Sequence, residues 1–241
     1  MGRAYEVRKA SIQKTGAIKA KTYSTFAKEI YLAAKKGVPE IESNIFLKRI
    51  VEKAKKAQVP SDIINRAIEK AKGVGGEDYH EVIYEGFGPG ASTLIIKTLT
   101  DNVNRTVGNV RAAFNKVHKS LGVTNSVSYN YDYLAMISFK TEKEEEIFES
   151  LLEAGIEPIE FENIEGELTI SVHPNDINKT KDIIEKIEPN VEYELDEVGM
   201  FAKDEVELNS EDLEVFDKLY KMLDEIEDVT DIYLSLIHIW R

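Results

Sequence analysis

Cysteine is absent from the 241 residues. That excludes disulfide frameworks, thiolate nucleophiles and cysteine-ligated metal centres. Histidine is scarce: His80, His118, His173 and His238 are scattered, and none has a second ligand type four residues away. The signatures HExxH and GxSxG and the zinc spacings do not occur, so no catalytic residue, metal or cofactor is expected. No apolar run approaches the roughly 20 residues that cross a bilayer. The opening, MGRAYEVRKAS, lacks the apolar core of a signal peptide. A cytoplasmic protein without a membrane partner is the expectation.

Positive charge is scarce overall, with 31 Lys and Arg against 44 Asp and Glu, a net charge of −13. The deficit is uneven. Residues 1–76 hold 17 basic and 7 acidic side chains, a net of +10. The remaining 165 residues hold 14 and 37, a net of −23. A basic module joined to an acidic body points to a polyanionic partner for the front end. The alternative is a set of lysines that only solvate helical faces.

Residues 2–22 have few large apolar side chains and many cations, and read as a basic arm. Three amphipathic helices follow. The first begins near Tyr23 and buries Phe26, Ala27, Ile30 and Ala34. The second covers about 43–58 and the third opens at Pro60-Ser61-Asp62, with Gly73 as its C-cap. GVGGED, 73–78, is the best domain joint. Beyond it the apolar period changes from 3.6 to 2. The pattern β-α-β-β-α-β recurs, which points to ferredoxin-like α+β units. Strands are expected at HEVIYEGF, STLIIKTLT, SVSYNYD, YLAMISFK, PIEFE, ELTISVH, VEYELDE, DEVELN and DVTDIYL.

The stretch YEGFGPGAS, 84–92, resembles a phosphate-binding glycine loop at first sight. Such loops lead from a strand into a helix, whose N-terminus holds the anion. Here a strand follows, GK[ST] is missing and Gly86, Gly88 and Gly90 lack the GxGxxG spacing. A tight hairpin is the better reading.

The next helix, about 103–117, places Val103, Val107, Val110, Phe114 and Val117 within roughly 80° of arc. The opposite side carries Asn104, Arg105, Arg111, Asn115, Lys116 and Lys119 and no carboxylate. Amides and cations of this kind suit phosphates and base edges. The alternative is a solvated face capped by Asp101 or Asn102. Tyr129, Tyr131 and Tyr133 alternate at strand spacing, either as a stacking platform or as packing groups. The terminal SLIHIWR sets the only tryptophan and an apolar run after an acidic helix and strand. Residues 236–241 are read as a tail foreign to the fold.

YEGFGPG, TDNVNRT, VRAAFNK and SVSYNYD, in this order and spacing, resemble the YebC family, whose members are often labelled probable transcriptional regulatory proteins. MGRAYEVRKAS, KEIYLAAKKG and AKKAQVPSDIINRAIEKAKG are closer to its YeeN-like branch, since the GHSKW-type tail of the main branch is missing. The likeness covers about residues 1–233. It implies an N-terminal helical domain and two α+β domains, one inserted in the other. The domains would be 1–76; 77–133 with 205–235; and 134–204. It also implies no enzymatic activity. The resemblance leads to two expectations, a DNA-binding transcriptional regulator or a translation factor contacting ribosomal RNA on the ribosome. A protein-binding scaffold is a third. A monomer is expected. The residues expected to touch nucleic acid are Arg3, Arg8, Lys9, Lys14, Lys19, Lys21, Lys28, Lys35, Lys55, Asn102, Asn104, Arg105, Arg111 and Asn115.

Overall fold

The computed structural model describes residues 17–73 and 79–236. The chain forms two compact units, one of residues 14–127 and 208–232, the other including 128–207 and 233–236. The described part of the first unit holds both the helical region and one sheet.

The helical region consists of α1 (Ala17–Lys36), α2 (Ile45–Lys56) and α3 (Ser61–Lys72). Helix α1 starts six residues before the expected Tyr23. The stretch AIKAKT, rich in strong helix formers and free of breakers, extends it. The side chain of Asn44 links α1 to α2. Its Oδ1 caps α2 by accepting the Leu47 amide at 3.1 Å, while its Nδ2 donates to the Ala33 and Val38 carbonyls at 3.0 and 2.9 Å. Ile30, Ala34, Leu47, Val51, Ala54, Ile64 and Ile68 form the core between the helices.

The sheet of this unit has the order β3-β1-β2-β8, from β1 (His80–Phe87), β2 (Thr93–Thr100), β3 (Ser120–Leu121) and β8 (Val229–Leu234). Strands β1 and β2 pair antiparallel from His80↔Thr100 to Phe87↔Thr93, so the glycine-rich stretch is a hairpin as expected. Its three glycines serve different ends. Only Gly90 has positive φ, +57°. Gly86 sits under the ring of Phe114, where a Cβ would stand 2.2 Å from Cζ. Gly88 leaves room for Ser92, whose carbonyl accepts the Gly88 amide at 2.7 Å. The ring of Phe114 belongs to α4 (Val103–Lys116), which packs with α7 (Ser210–Asp224).

The buried side of α4 differs from the expected valine stripe. Val103 is 38% exposed, whereas Thr106, Val110, Ala113 and Phe114 are buried. The reason is polar: the Thr106 hydroxyl has buried partners, described below. Glu85, also buried, accepts the amides of Asn125 and Val127 at 2.8 and 2.6 Å and so fixes the loop after β3. The expected strand SVSYNYD is instead a 3₁₀ turn at Ser128–Asn130 leading into β4 (Tyr131–Lys140). Tyr129 and Tyr133 are exposed and Tyr131 is buried.

The other unit is built from β4, α5 (Glu144–Glu153), β5 (Glu160–Ile164), β6 (Glu167–Val172), α6 (Ile177–Ile187) and β7 (Tyr193–Ala202). Its sheet order, β5-β6-β4-β7 with antiparallel neighbours, is that of a ferredoxin-like fold. Ala135, Ile137, Phe139, Leu168 and Ile170 alternate along β4 and β6 to meet Ile147, Leu151 and Ile184 of the two helices. The expected strand DEVELN reduces to one bridge, Val206↔Leu236. Leu236 is thereby buried, although it opens the segment read as a foreign tail; 237–241 lie outside the described residues.

Candidate nucleic-acid interface

The basic module does not present all its cations to solvent. Arg3, Arg8, Lys9 and Lys14 lie outside the described residues, and Lys19 falls on α1. Further along that helix, lysines at seven- and eight-residue intervals meet carboxylates of the acidic body. Lys21 bonds to the carbonyl of Asp224 and, at 3.1 Å, to its carboxylate. Lys28 reaches Asp228 at 3.2 Å, and Lys36 reaches Glu81 at 3.3 Å. This row follows from the period of 3.6, which returns every seventh residue to nearly the same side. The expected contact residues Lys21 and Lys28 are therefore held within the protein.

Lys35 and Lys70 converge on one aromatic ring. Their ammonium groups stand 5.4 and 5.6 Å from the centroid of the buried Tyr31. Tyr31 in turn meets Tyr79 edge-on at 5.8 Å. Lys35 and Lys55 are exposed, on α1 and α2 respectively.

The N-terminus of α4 is organised around a residue that the sequence reading passed over, Asp228. Its carboxylate is buried and takes three donors from two helices. Arg105 Nη2 lies 2.9 and 3.2 Å from its two oxygens, Thr106 Oγ1 is at 2.8 Å and Lys28 Nζ at 3.2 Å. The carbonyl of the same residue accepts the Leu99 amide at 2.8 Å. Burial pushes the Asp228 carboxyl upward. The bonds from Arg105, Thr106 and Lys28 outweigh it, and the net shift is below the ordinary aspartate value. Arg105 also meets Asp101 at 2.7 Å, and these two acids raise its already high pKa. Nothing in the local sequence EDVTDIYL distinguishes Asp228 from its acidic neighbours, because its partners lie over a hundred residues away.

The other expected residues of this region divide. Asn102 is the N-cap of α4, its Oδ1 accepting the Arg105 amide at 3.0 Å. Asn104, Arg111 and Asn115 are exposed along the helix. Arg105 is half exposed, with its guanidinium already held by Asp228 and Asp101. A second charged cluster lies where α1 meets the sheet. Glu29 is desolvated there and stands near Asp231 and Glu81, with Lys97 and Lys53 opposing. Its carboxyl is pushed up to about 7. Among the described residues no group of three or more His, Asp or Glu is arranged to hold a metal ion, and no helix is long and apolar enough to cross a membrane.

Comparison with known proteins matches both parts of the chain. Residues 3–74 match the family described as the TACO1/YebC protein N-terminal domain, and residues 79–236 match the TACO1/YebC second and third domain. A "probable transcriptional regulatory protein" of Hydrogenovibrio crunogenus is 43% identical over 237 residues, 98% of this chain and 99% of that protein. One of the same name from Acholeplasma laidlawii is 43% identical over 238 residues, 98% of each chain. The crystal structure of a conserved hypothetical protein from Aquifex aeolicus superposes with a TM-score of 0.76 at 30% identity, covering 96% of this chain and 98% of that one.

Proposed function

Since the chain belongs to the TACO1/YebC family, we propose that it is a cytoplasmic regulator of gene expression that works by binding nucleic acid, DNA first of all, and not by catalysis. The observation that carries this reading is the division of charge, +10 in residues 1–76 against −23 in the rest. A polyphosphate strand releases counterions when lysine and arginine replace them, a favourable term that an evenly acidic surface would not supply. The names of the relatives, which speak of transcriptional regulation, support the same direction. The pairing of Lys21, Lys28 and Lys36 with the body narrows the gripping surface. It turns the gripping role toward the arm before α1, which lies outside the described residues, and toward the exposed Lys55.

The acidic body favours a second reading. It repels long duplex DNA but suits a ribonucleoprotein, where RNA and basic proteins lie side by side. In that case the protein contacts ribosomal RNA as a translation factor.

One experiment serves both. Binding to duplex DNA and to purified ribosomes is measured at about 50 and 200 mM salt, in the wild type and in the triple variant Arg3→Ala, Arg8→Ala, Lys9→Ala. Each lost phosphate contact lowers the logarithmic salt slope by about 0.9, so the triple variant should be shallower by about 2 to 3. Identical slopes would remove the arm from the mechanism. Ribosome binding that outlasts DNA binding as salt rises would favour the translational reading.

A further inference from the structure

Helix α4 carries two neighbouring lines of polar groups with different fates. Arg105 turns back to Asp228 and Asp101. Beside it, Asn104, Gly108, Arg111 and Asn115 fall within about 60° of arc at 100° per residue, and all four are exposed. Arg111, unlike Arg105, makes no ion pair among the described residues. No carboxylate lies on this line, in a part of the chain that is strongly acidic.

Gly108 stands in the middle of the line. Glycine is among the poorest helix formers, so a mid-helix glycine calls for a reason. The packing among the described residues supplies none: beyond the helix's own backbone, a Cβ placed at Gly108 meets none of their atoms within 4 Å. Gly86 contrasts with it, because there the ring of Phe114 occupies the place of a side chain. What Gly108 provides is a notch in the outer face of α4, where a foreign backbone can approach the helix closely. The notch is bounded by amide donors at Asn104 and Asn115 and by the guanidinium of Arg111. The line from Asn104 to Asn115 runs about 16 Å, which matches several nucleotides of one strand.

We propose that this line is a second nucleic-acid contact, separate from the basic arm. The sugar–phosphate backbone of one strand lies in the notch at Gly108, Arg111 holds a phosphate, and Asn104 and Asn115 donate to phosphate or sugar oxygens. The Arg105–Asp228 pair is the anchor that fixes the helix and leaves Arg111 as the gripping cation. This inference rests on the nucleic-acid reading above and says where on the body the strand would lie.

The test uses the full chain and two variants, Gly108→Gln and Arg111→Ala. Binding to a single-stranded RNA, a single-stranded DNA and a duplex DNA oligonucleotide is followed by fluorescence anisotropy at about 50 mM salt, beside a thermal melt. Glutamine is a better helix former than glycine and fills the notch. Gly108→Gln should therefore raise Tm by about 2 °C while weakening binding about tenfold. Arg111→Ala should leave Tm within about 1 °C, weaken binding by a similar factor and lower the logarithmic salt slope by about 1. Which oligonucleotide loses affinity identifies the strand. If the wild type binds and both variants bind equally well, the line is only a solvated face. If Gly108→Gln unfolds the helix, Arg111→Ala alone decides, and wild-type affinity there would overturn the proposal. A wild type that binds none of the three would bring down the functional reading itself, and this contact with it.

Discussion

Replacing Asp228 by Asn tests the central polar junction of the first unit. The substitution keeps the shape and removes the charge. The carboxylate accepts Arg105, Thr106 and Lys28, and the side chain of Lys28 is itself only 11% exposed. An amide at this place retains one acceptor, which can serve Thr106, and turns two N–H donors toward the cations. Two charge-assisted bonds are lost, of which the one to the buried Lys28 ammonium is worth about 1.5–3 kcal/mol. The Arg105 share needs a discount, because its guanidinium is 48% exposed and keeps Asp101. The Lys28 share does not, since its other carboxylate, Glu227, is 4.0 Å away and exposed. A net loss of about 3 kcal/mol results, within the range for breaking a buried pair from one side. For a chain of this size it corresponds to a fall in Tm of about 6–12 °C. Urea unfolding followed by circular dichroism measures it. Lys28→Met in the Asp228→Asn background should cost less than the sum of the two single changes, because the stranded cation is removed. A loss below about 1 kcal/mol for Asp228→Asn, or strict additivity in the double variant, would refute the account of Asp228 as a shared junction.

Glu29 binds its proton more tightly folded than unfolded, so its contribution is fully present below the ordinary glutamate value and is lost as pH rises through about 7. The shift from 4.5 to about 7 sets an upper bound of about 3 kcal/mol. Glu29→Gln should flatten the decline in stability between pH 5 and 8 and exceed the wild type at pH 8; parallel curves for the two proteins would contradict the burial of this carboxyl. Gly86→Ala puts a Cβ 2.2 and 2.5 Å from Cζ and Cε1 of Phe114 and should cost about 3 kcal/mol in urea unfolding. Phe114→Leu in that background should recover part of the loss, and no recovery would place the strain elsewhere. Asp228 titrates in the opposite sense to Glu29: its contribution holds above the ordinary aspartate value of 3.8 and fades as pH falls through its lower folded value. An acid melt of Asp228→Asn should therefore lack a step that the wild type shows below about pH 4.

Much of the architecture is legible in the chain because it depends on local periodicity. The lysine-and-alanine helices, the hairpin at YEGFGPGAS and the alternating strands of the ferredoxin-like unit each need only a few neighbouring residues to specify them. The misses have a common cause. SVSYNYD alternates like a strand, yet its first residues form a turn, because the backbone there is bound to other segments: the Val127 amide donates to Glu85 and the Asn130 carbonyl accepts the Lys203 amide. The valine stripe of α4 is rotated for a similar reason. Thr106 turns inward to Asp228 and Val103 is left exposed, an outcome that apolar spacing cannot register.

The candidate interface divides in the same way. The sequence alone determined that the front of the chain is cationic and the rest anionic, since charge is additive and needs no coordinates. Only the tertiary structure decided which cations are already occupied. Lys21, Lys28 and Arg105 look like Lys55 and Arg111 in the sequence, but the first three meet carboxylates brought near by folding over a hundred residues of intervening chain. A Coulombic pair depends on distance, and distance across that separation is a property of the fold.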